Sequence, residues 1–146
     1  MENTYVVISL TNGSGYSNPT VLITESSKDA NDFFHQEIGD WMMSYEDLEV
    51  EVKRRSGNNM CCLFTDGEDN FGSHLLTVKK KTCIHLNCDF SDEIHIHEDT
   101  TLEEQLTEYG IKKEAELEFV EDSHVAEIVR YENEETGTYH MFIYIK

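Results

Sequence analysis

The segment Thr82-Cys83-Ile84-His85-Leu86-Asn87, followed after six residues by Ile94-His95-Ile96-His97, carries the most regular pattern in the chain. In both segments aliphatic residues alternate with cysteine or histidine, which is the two-residue period of a β-strand. We therefore predict a hairpin with a turn in residues 87–92. Its aliphatic side chains should lie buried on one sheet face, with the cysteine and histidines on a solvated opposite face.

A short helix and a further strand are predicted to follow this hairpin. Asp99 or Thr100 can cap the helix, and Gly110 can end it. The next strand is expected at residues 116–120. This order, with Glu98-Asp99-Thr100-Thr101-Leu102 leading into the helix, resembles the opening of a ubiquitin-like β-grasp fold. The resemblance implies a β-grasp-like C-terminal half of the chain.

The rest of the chain alternates predicted strands with one longer helix and contains a single proline. A first hairpin is expected from residues 5–10 and 20–24, and a helix from Ser26 or Ser27 to about Met43. Further strands are expected at residues 48–52, 60–65 and 74–79, which form a meander, and at 124–131 and 138–145. These elements predict one compact α+β domain over residues 1–146, with a largely antiparallel sheet of about ten strands and two helices.

The strongest functional clue is the charge, because 30 acidic residues face 11 Lys and Arg and leave a formal net charge of −19. A folded chain of this size exposes roughly 7,700 Å², which gives one net charge per roughly 400 Å². Duplex DNA carries about one charge per 100 Å². The charge repels nucleic acid and anionic membranes and attracts basic clefts. Imitation of a DNA backbone would require the acids to gather on one face.

The first ten residues lack the basic start, apolar segment and cleavage site of a secretory signal. No apolar run approaches the length of a membrane span. We therefore expect a cytoplasmic protein whose cysteines, Cys61, Cys62, Cys83 and Cys88, are reduced thiols.

A zinc site is the first chemical alternative to a purely structural hairpin. Cys83, His85, His95 and His97 are zinc-ligand residue types on the predicted hairpin. Their strand-borne spacing differs from the Cys-x2-Cys spacing of ordinary structural zinc sites. A solvated hairpin face without metal is therefore the favoured interpretation.

Three other patterns are weaker indications of chemistry. Residues 66–70, Asp-Gly-Glu-Asp-Asn, are rich in oxygen ligands but lack the spacing of an EF-hand calcium loop. Cys61 or Cys62 could act as a nucleophile with a histidine base, but their predicted interior strand favours a packing role. The glycines in residues 12–15 lack the lysine and spacing of a phosphate-binding loop. We expect no cofactor and predict that the chain is not an enzyme.

In composition the chain resembles the small acidic anti-defence proteins of bacteriophages, of the anti-CRISPR or antirestriction type that mimics DNA. This resemblance implies an inhibitor that acts in the host cytoplasm by binding a basic nucleic-acid-binding surface of a nuclease or defence complex. No direct contact with nucleic acid or membrane is expected. The alternative is an intracellular adaptor or subunit, with a ubiquitin-like protein as one form of it, that binds through a sheet edge or acidic patch. A zinc-binding protein or an unrecognised enzyme is a further alternative.

The predicted partner-binding residues are acids and aromatic residues near residues 32–51, with an acidic C-terminal loop as a second group. Rim charges chiefly raise association rates, whereas a few buried anchors supply affinity. Trp41 and Tyr45 are therefore the expected anchors. The full predicted set is Asp32, Glu37, Asp40, Trp41, Tyr45, Glu46, Asp47, Glu49, Glu51, Glu132, Glu134 and Glu135.

Overall fold

The structure is a computed structural model that describes residues 3–12, 19–44, 49–54, 59–65, 70–87, 94–111, 117–133 and 135–146. These residues form strands and two helices. Their bounds are β1 (Thr4–Asn12), β2 (Thr20–Thr24), α1 (Ser27–Ser44), β3 (Glu49–Arg54), β4 (Met60–Thr65), β5 (Asn70–Val78), β6 (Thr82–Asn87), β7 (Ile94–His97), α2 (Leu102–Glu108), β8 (Glu118–Asp122), β9 (Ala126–Asn133) and β10 (Thr138–Ile145).

The chain divides into two compact units. The N-terminal unit contains β1 to β5 with α1, and the C-terminal unit contains β6 to β10 with α2. Neighbouring strands are antiparallel in both units. The predicted α+β class with mostly antiparallel pairing and two helices is therefore confirmed.

The N-terminal unit is a five-stranded sheet in the order β2-β1-β5-β4-β3, with α1 packed on one face. The predicted first hairpin is confirmed, since β1 pairs with β2. The predicted meander is also confirmed, since β4 lies between β3 and β5. Phe34 of α1 packs into a buried cluster with Val7, Cys62 and Leu75, which makes this core mainly aliphatic.

The C-terminal unit is a five-stranded sheet in the order β7-β6-β10-β9-β8. Its buried cluster of Cys83, Val129 and Phe142 is packed against Leu102 and Leu106 of α2. The predicted hairpin of β6 and β7 is confirmed, and the order of hairpin, helix and strand is as expected. However, β6 and β10 are antiparallel, whereas the first and last strands of a β-grasp are parallel. The resemblance to a β-grasp fold is therefore limited to the order of the elements along the chain.

The two units share one topology. Each consists of a hairpin, a helix and a three-stranded meander, and the fifth strand pairs antiparallel with the first. In both units the first residue of the first strand is opposite the last residue of the fifth strand. When residues are counted from that pair in each unit, Val7 occupies the position equivalent to that of His85, and Leu75 the position equivalent to that of Phe142.

The prediction of one continuous sheet is wrong. The described strands form two sheets, because β5 already lies between β1 and β4, and β6 already lies between β7 and β10. A strand that is paired along both edges has no backbone donors or acceptors left for a third neighbour. The connection from β5 to β6 therefore passes from one sheet to the other.

The prediction that the aliphatic residues of the β6–β7 hairpin share one face is confirmed, and the prediction for the burial of the two faces is partly wrong. Ile84 is opposite Ile96 and Leu86 is opposite Ile94, so the four aliphatic residues do share one face. Ile84 and Leu86 are fully buried, but Ile96 on the edge strand is 37% exposed. The opposite face is not solvated throughout, because β6 is an interior strand and its His85 is buried.

Both helices begin at a hydroxyl cap. The Oγ of Ser26 accepts a hydrogen bond of 3.1 Å from the backbone N–H three residues later, and Thr101 does the same for Glu104. The predicted caps of α2, Asp99 and Thr100, are wrong. Asp99 adopts a positive φ of 53°, and Thr100 is buried, with its hydroxyl donating to the carboxylate of Glu104.

Candidate functional site

The acidic side chains whose exposure is described lie on the surface. The structure describes the exposure of sixteen Asp and Glu side chains, of which fourteen are exposed, two are half-buried and none is buried. They belong to both units, so the charge is not confined to one of them. The exposed ones are Glu25, Asp29, Asp32, Asp40, Glu98, Asp99, Glu103, Glu104, Glu108, Glu118, Glu121, Asp122, Glu132 and Glu135.

Three exposed acids line one face of α1. Helical residues three or four apart are neighbours on the surface. Asp32 follows Asp29 by three residues and Asp40 follows Asp32 by eight, which is two such steps, so the three acids share one face of the helix. The same spacing adds Met43, which is 89% exposed at the C-terminal end of this face. The Nζ of Lys28 lies 2.7 Å from Asp32 and offsets part of the charge. We call Asp29, Asp32, Asp40 and Met43 the α1 acidic face.

Glu37 lies at the flank of this face and is half-buried. Burial, and then the nearby carboxylate of Asp40, raise the pKa of Glu37 above its ordinary value. The structure therefore agrees with a cluster of like charges at this end of α1, where Glu37 and Asp40 lie one turn apart.

The other predicted residues of this group are less fully described. Trp41 belongs to α1, and Glu49 and Glu51 belong to β3, an edge strand of the N-terminal sheet. Only the backbone of these three residues is described. Tyr45, Glu46 and Asp47 lie outside the described residues. The expectation that Trp41 and Tyr45 are anchors therefore stays a prediction.

The second predicted group lies in the C-terminal unit, so the structure does not place it with the first in one unit. Glu132 is exposed near the end of β9, and Glu135 is exposed in the following turn. The side chain of Asn133 accepts a hydrogen bond from the backbone N–H of Glu135 at 3.1 Å. Gly137 completes the turn with a φ of 72°. Glu134 lies outside the described residues.

The zinc-ligand residue types do lie on paired strands, as the predicted hairpin requires. Cys83 is opposite His97, and His85 is opposite His95. Among the described residues, however, no group of three or more His, Cys, Asp or Glu side chains is arranged to hold a metal ion. Burial raises the pKa of the Cys83 thiol to about 12, so this thiol stays protonated at neutral pH. The absence of a bound metal stays a prediction.

Histidine and tyrosine rings of the described residues lie close together around His85. The His85 ring lies 4.1 Å from that of Tyr109, 5.1 Å from that of His140 and 5.6 Å from that of His95, measured between ring centroids. Tyr131 extends the stack, 6.5 Å from His140. We call the set the ring cluster: His85, His95, His97, Tyr109, Tyr131 and His140.

Hydrogen bonds tie the ring cluster together. The Nε2 of His85 lies 2.9 Å from the Nδ1 of His140, and the Nε2 of His97 lies 3.0 Å from the hydroxyl of Tyr109. Burial, followed by the proximity of His140, His95 and His97, lowers the pKa of His85 to about 3. His85 is therefore a neutral imidazole at physiological pH.

The sequence-based analysis missed Tyr109, Tyr131 and His140 as parts of this cluster. A signal for His140 was present, because it shares the parity of Phe142 on β10 and so reaches the helix-bearing face. Tyr109 was missed because it follows α2. A periodic pattern does not encode the direction that the chain takes after a helix ends.

An edge strand of the C-terminal sheet carries exposed apolar side chains. All five residues of β8 are exposed, including Phe119 at 65% and Val120 at 49%. The carboxylate of Glu118 lies 3.5 Å from Arg130, and that of Asp122 lies 2.8 Å from Lys146. The edge is therefore apolar at its centre and carries ion pairs at both ends.

The remaining candidates for chemistry are two neighbouring cysteines and two segments named from the sequence. Cys61 and Cys62 are buried, and burial followed by the neighbouring Cys61 raises the pKa of the Cys62 thiol to about 11. Such a thiol is a poor nucleophile at neutral pH. Residues 66–69 of the acidic turn and residues 13–15 of the glycine-containing loop lie outside the described residues.

No family model, curated protein or solved structure matches this chain. Within the described part of the chain, neither helix has the length and apolar character needed to cross a membrane.

Proposed function

We propose that this chain is a non-enzymatic acidic inhibitor that binds a basic nucleic-acid-binding surface of a host nuclease or defence complex, in the manner of anti-CRISPR or antirestriction proteins. The α1 acidic face is the observation that carries the proposal. It combines three exposed carboxylates with Met43, an exposed apolar side chain, on one helix surface.

The spacing of the carboxylates indicates what this face can do. Asp29 and Asp40 are eleven residues apart, or about 16 Å along a helix. Three charges over that length are sparser than a DNA strand, which has one phosphate per about 3.4 Å. The α1 face alone therefore steers and orients a basic partner. A denser surface would require the acids of β3 and the preceding segment, as the sequence predicts.

Affinity requires a side chain that is buried on binding, because exposed charges chiefly affect association rate and salt dependence. Met43 has the properties of such an anchor. It is flexible and polarizable, and methionine is common on surfaces that bind proteins. Its position three residues after Asp40 places the anchor next to the charges.

The proposal is tested by capture from a nuclease-treated bacterial lysate on the immobilised protein. We expect the captured proteins to bind nucleic acid. They should elute in a salt series that runs from about 50 to about 500 mM, because screening weakens the attraction of exposed charges. Excess duplex DNA should release them too. A captured protein that resists both treatments would contradict a decoy.

A second candidate function, an adaptor that binds through a sheet edge, is favoured by the exposed apolar centre of β8. An edge strand with exposed apolar residues can accept a strand from a partner. The partner of such an adaptor would resist salt and be lost on substitution of Phe119 and Val120 by serine. The decoy predicts that the same double substitution leaves partner binding intact.

A further inference from the structure

The side of α1 that carries the acidic face also contains a glycine that the helix does not require. Gly39 lies inside α1, seven residues after Asp32 and four before Met43, so it shares their side of the helix. Only proline is less favourable than glycine in a helix interior. The φ of Gly39 is not in the left-handed region that favours glycine. The backbone of α1 would therefore accept any good helix-forming residue at this position.

Packing within the described part of the protein does not explain Gly39 either. Gly39 is half-buried. A Cβ at this position would nevertheless have no described atom within 4 Å, apart from those of its chain neighbours and the backbone of α1. An alanine would fit there and would favour the helix. No described element of this chain fills the space that the missing side chain leaves.

The space at Gly39 adjoins an exposed apolar side chain. Met43 lies one helical turn further and is 89% exposed. Helix side chains form ridges along rows of residues four apart, and a glycine in such a row lets the backbone of another element approach closely. Methionine adapts its shape to the surface that it contacts. Gly39 and Met43 together therefore form a gap in a ridge with a flexible apolar side chain beside it.

A second helix fits this surface better than an extended segment does. The side of a helix offers no backbone donors or acceptors, so an extended segment would lose its hydrogen bonds to water without replacing them. A helix satisfies its own backbone groups. Two helices also approach most closely where the side chains at their contact are small.

The charge around Gly39 favours a basic helix. α1 contains four acidic residues and one lysine, and that lysine, Lys28, is paired with Asp32 at 2.7 Å. Burial, and then the carboxylate of Asp40, raise the pKa of Glu37. The last turn of α1 contains no basic residue to offset the negative end of the helix dipole. The potential on this side of α1 therefore attracts cations.

We infer that the side of α1 around Gly39 binds a basic α-helix of the partner, which crosses α1 at the gap left by the glycine and packs against Met43. Many DNA-binding proteins present such a helix to the major groove of DNA. This inference rests on the proposed function, because it names the element that the basic partner presents to α1.

The test compares two blocked peptides of equal charge at neutral pH and low salt. One consists of five repeats of Ala-Ala-Ala-Ala-Arg, which favour a helix. In the other, proline replaces the third alanine of each repeat and prevents the helix. Calorimetric titration measures affinity, and NMR of the methionine methyl groups reports on Met43. We expect the helical peptide to bind more tightly and to shift the Met43 methyl signal.

Substitutions at Gly39 should change stability and binding in opposite directions. Gly39→Ala and Gly39→Leu should each raise the melting temperature by about 2–4 °C, because both residues favour the helix. Gly39→Leu should weaken binding of the helical peptide by about fivefold or more, and Gly39→Ala by a smaller factor, because each side chain fills the gap. The control is Gln36→Ala on the same side of α1, which adds no bulk and should leave the affinity unchanged.

Failure of the helix site and failure of the proposed function give different results. The site is overturned if Gly39→Leu binds the helical peptide as tightly as the wild-type protein does, if the proline peptide binds as tightly as the helical one, or if neither peptide binds. In each of these cases the proposed function stands when the wild-type protein still captures DNA-competed proteins from lysate. Loss of that capture as well would contradict both.

Discussion

The two units have the same strand order but different helices and cores. In the N-terminal unit, an 18-residue helix covers a core in which Val7 lies opposite Leu75. In the C-terminal unit, a 7-residue helix packs on the sheet, and the equivalent pair is His85 and Phe142. One topology therefore accommodates both an apolar core and a titratable ring cluster. The difference between the units therefore lies in the helix and in a few sheet positions, since the strand order is the same.

The largest expected effect comes from truncating Phe142, which is larger than Leu75, the residue at the equivalent position of the N-terminal unit. Phe142 is fully buried, so Phe142→Ala should lower the free energy of unfolding by about 3–5 kcal/mol. Urea denaturation measures this change in the free energy of unfolding. The control is Phe119→Ala on the exposed edge strand, which should change stability by about 0.5 kcal/mol or less. If the two variants unfold alike, the described core of the C-terminal unit is wrong.

The second expected effect is a difference between the two cores in how their stability depends on pH. Burial first, and neighbouring histidines second, lower the pKa of folded His85 from 6.5 to about 3. Below pH 6.5 the unfolded chain binds a proton at His85 that the folded chain does not, so acid favours unfolding. The stability that depends on neutral His85 is complete above about pH 6.5 and is lost as the pH falls toward 3.

His85→Val places the residue of the N-terminal unit at the equivalent position of the C-terminal unit. Between pH 7 and 5 the wild-type protein should lose about 2 kcal/mol more stability than this variant. Urea unfolding at the two pH values measures the difference, and the shared carboxylates cancel in the comparison. Parallel pH profiles for the two proteins would contradict a neutral, buried His85.

The smallest effect concerns the helix caps. Thr101 is the N-cap of α2, and Thr101→Ala should cost about 1 kcal/mol. Hydrogen exchange should report faster exchange of the α2 amides, with those of α1 unchanged. Ser26→Ala should produce the reverse pattern. Equal acceleration in both helices by either variant would contradict independent caps.

The sequence predicts the local elements of this fold well because their causes are local. The alternation of Ile84 and Leu86 with Cys83 and His85 is sufficient to predict β6 and the face that its aliphatic side chains share, but not its register with β7. Partition of the strands into two sheets depends on which distant strands pair, and no periodic pattern encodes that pairing. The sequence also does not show that His85 is buried, because its burial depends on Tyr109 and β10.

The candidate site was predictable only in part. The surface position of Asp32 and Asp40 follows from helical periodicity, because they fall on the face opposite Phe34. Met43 was expected to be near the end of the helix, but its exposure was not predicted. Its spacing from Asp40 does place it on the acidic face, but a methionine in an amphipathic helix is usually assigned to the core.

The proposed function requires that the position of the acids on α1, and not the net charge alone, supports partner binding. The most direct test compares capture from lysate by two triple variants with the same change in net charge. One is Asp29→Lys, Asp32→Lys and Asp40→Lys, which reverses the α1 acidic face. The other reverses three dispersed exposed acids, as Glu25→Lys, Glu103→Lys and Glu121→Lys. The account predicts that the α1 variant loses the DNA-competed partners while the dispersed variant retains them, with both folded by circular dichroism. Equal retention or equal loss of those partners by the two variants would contradict it.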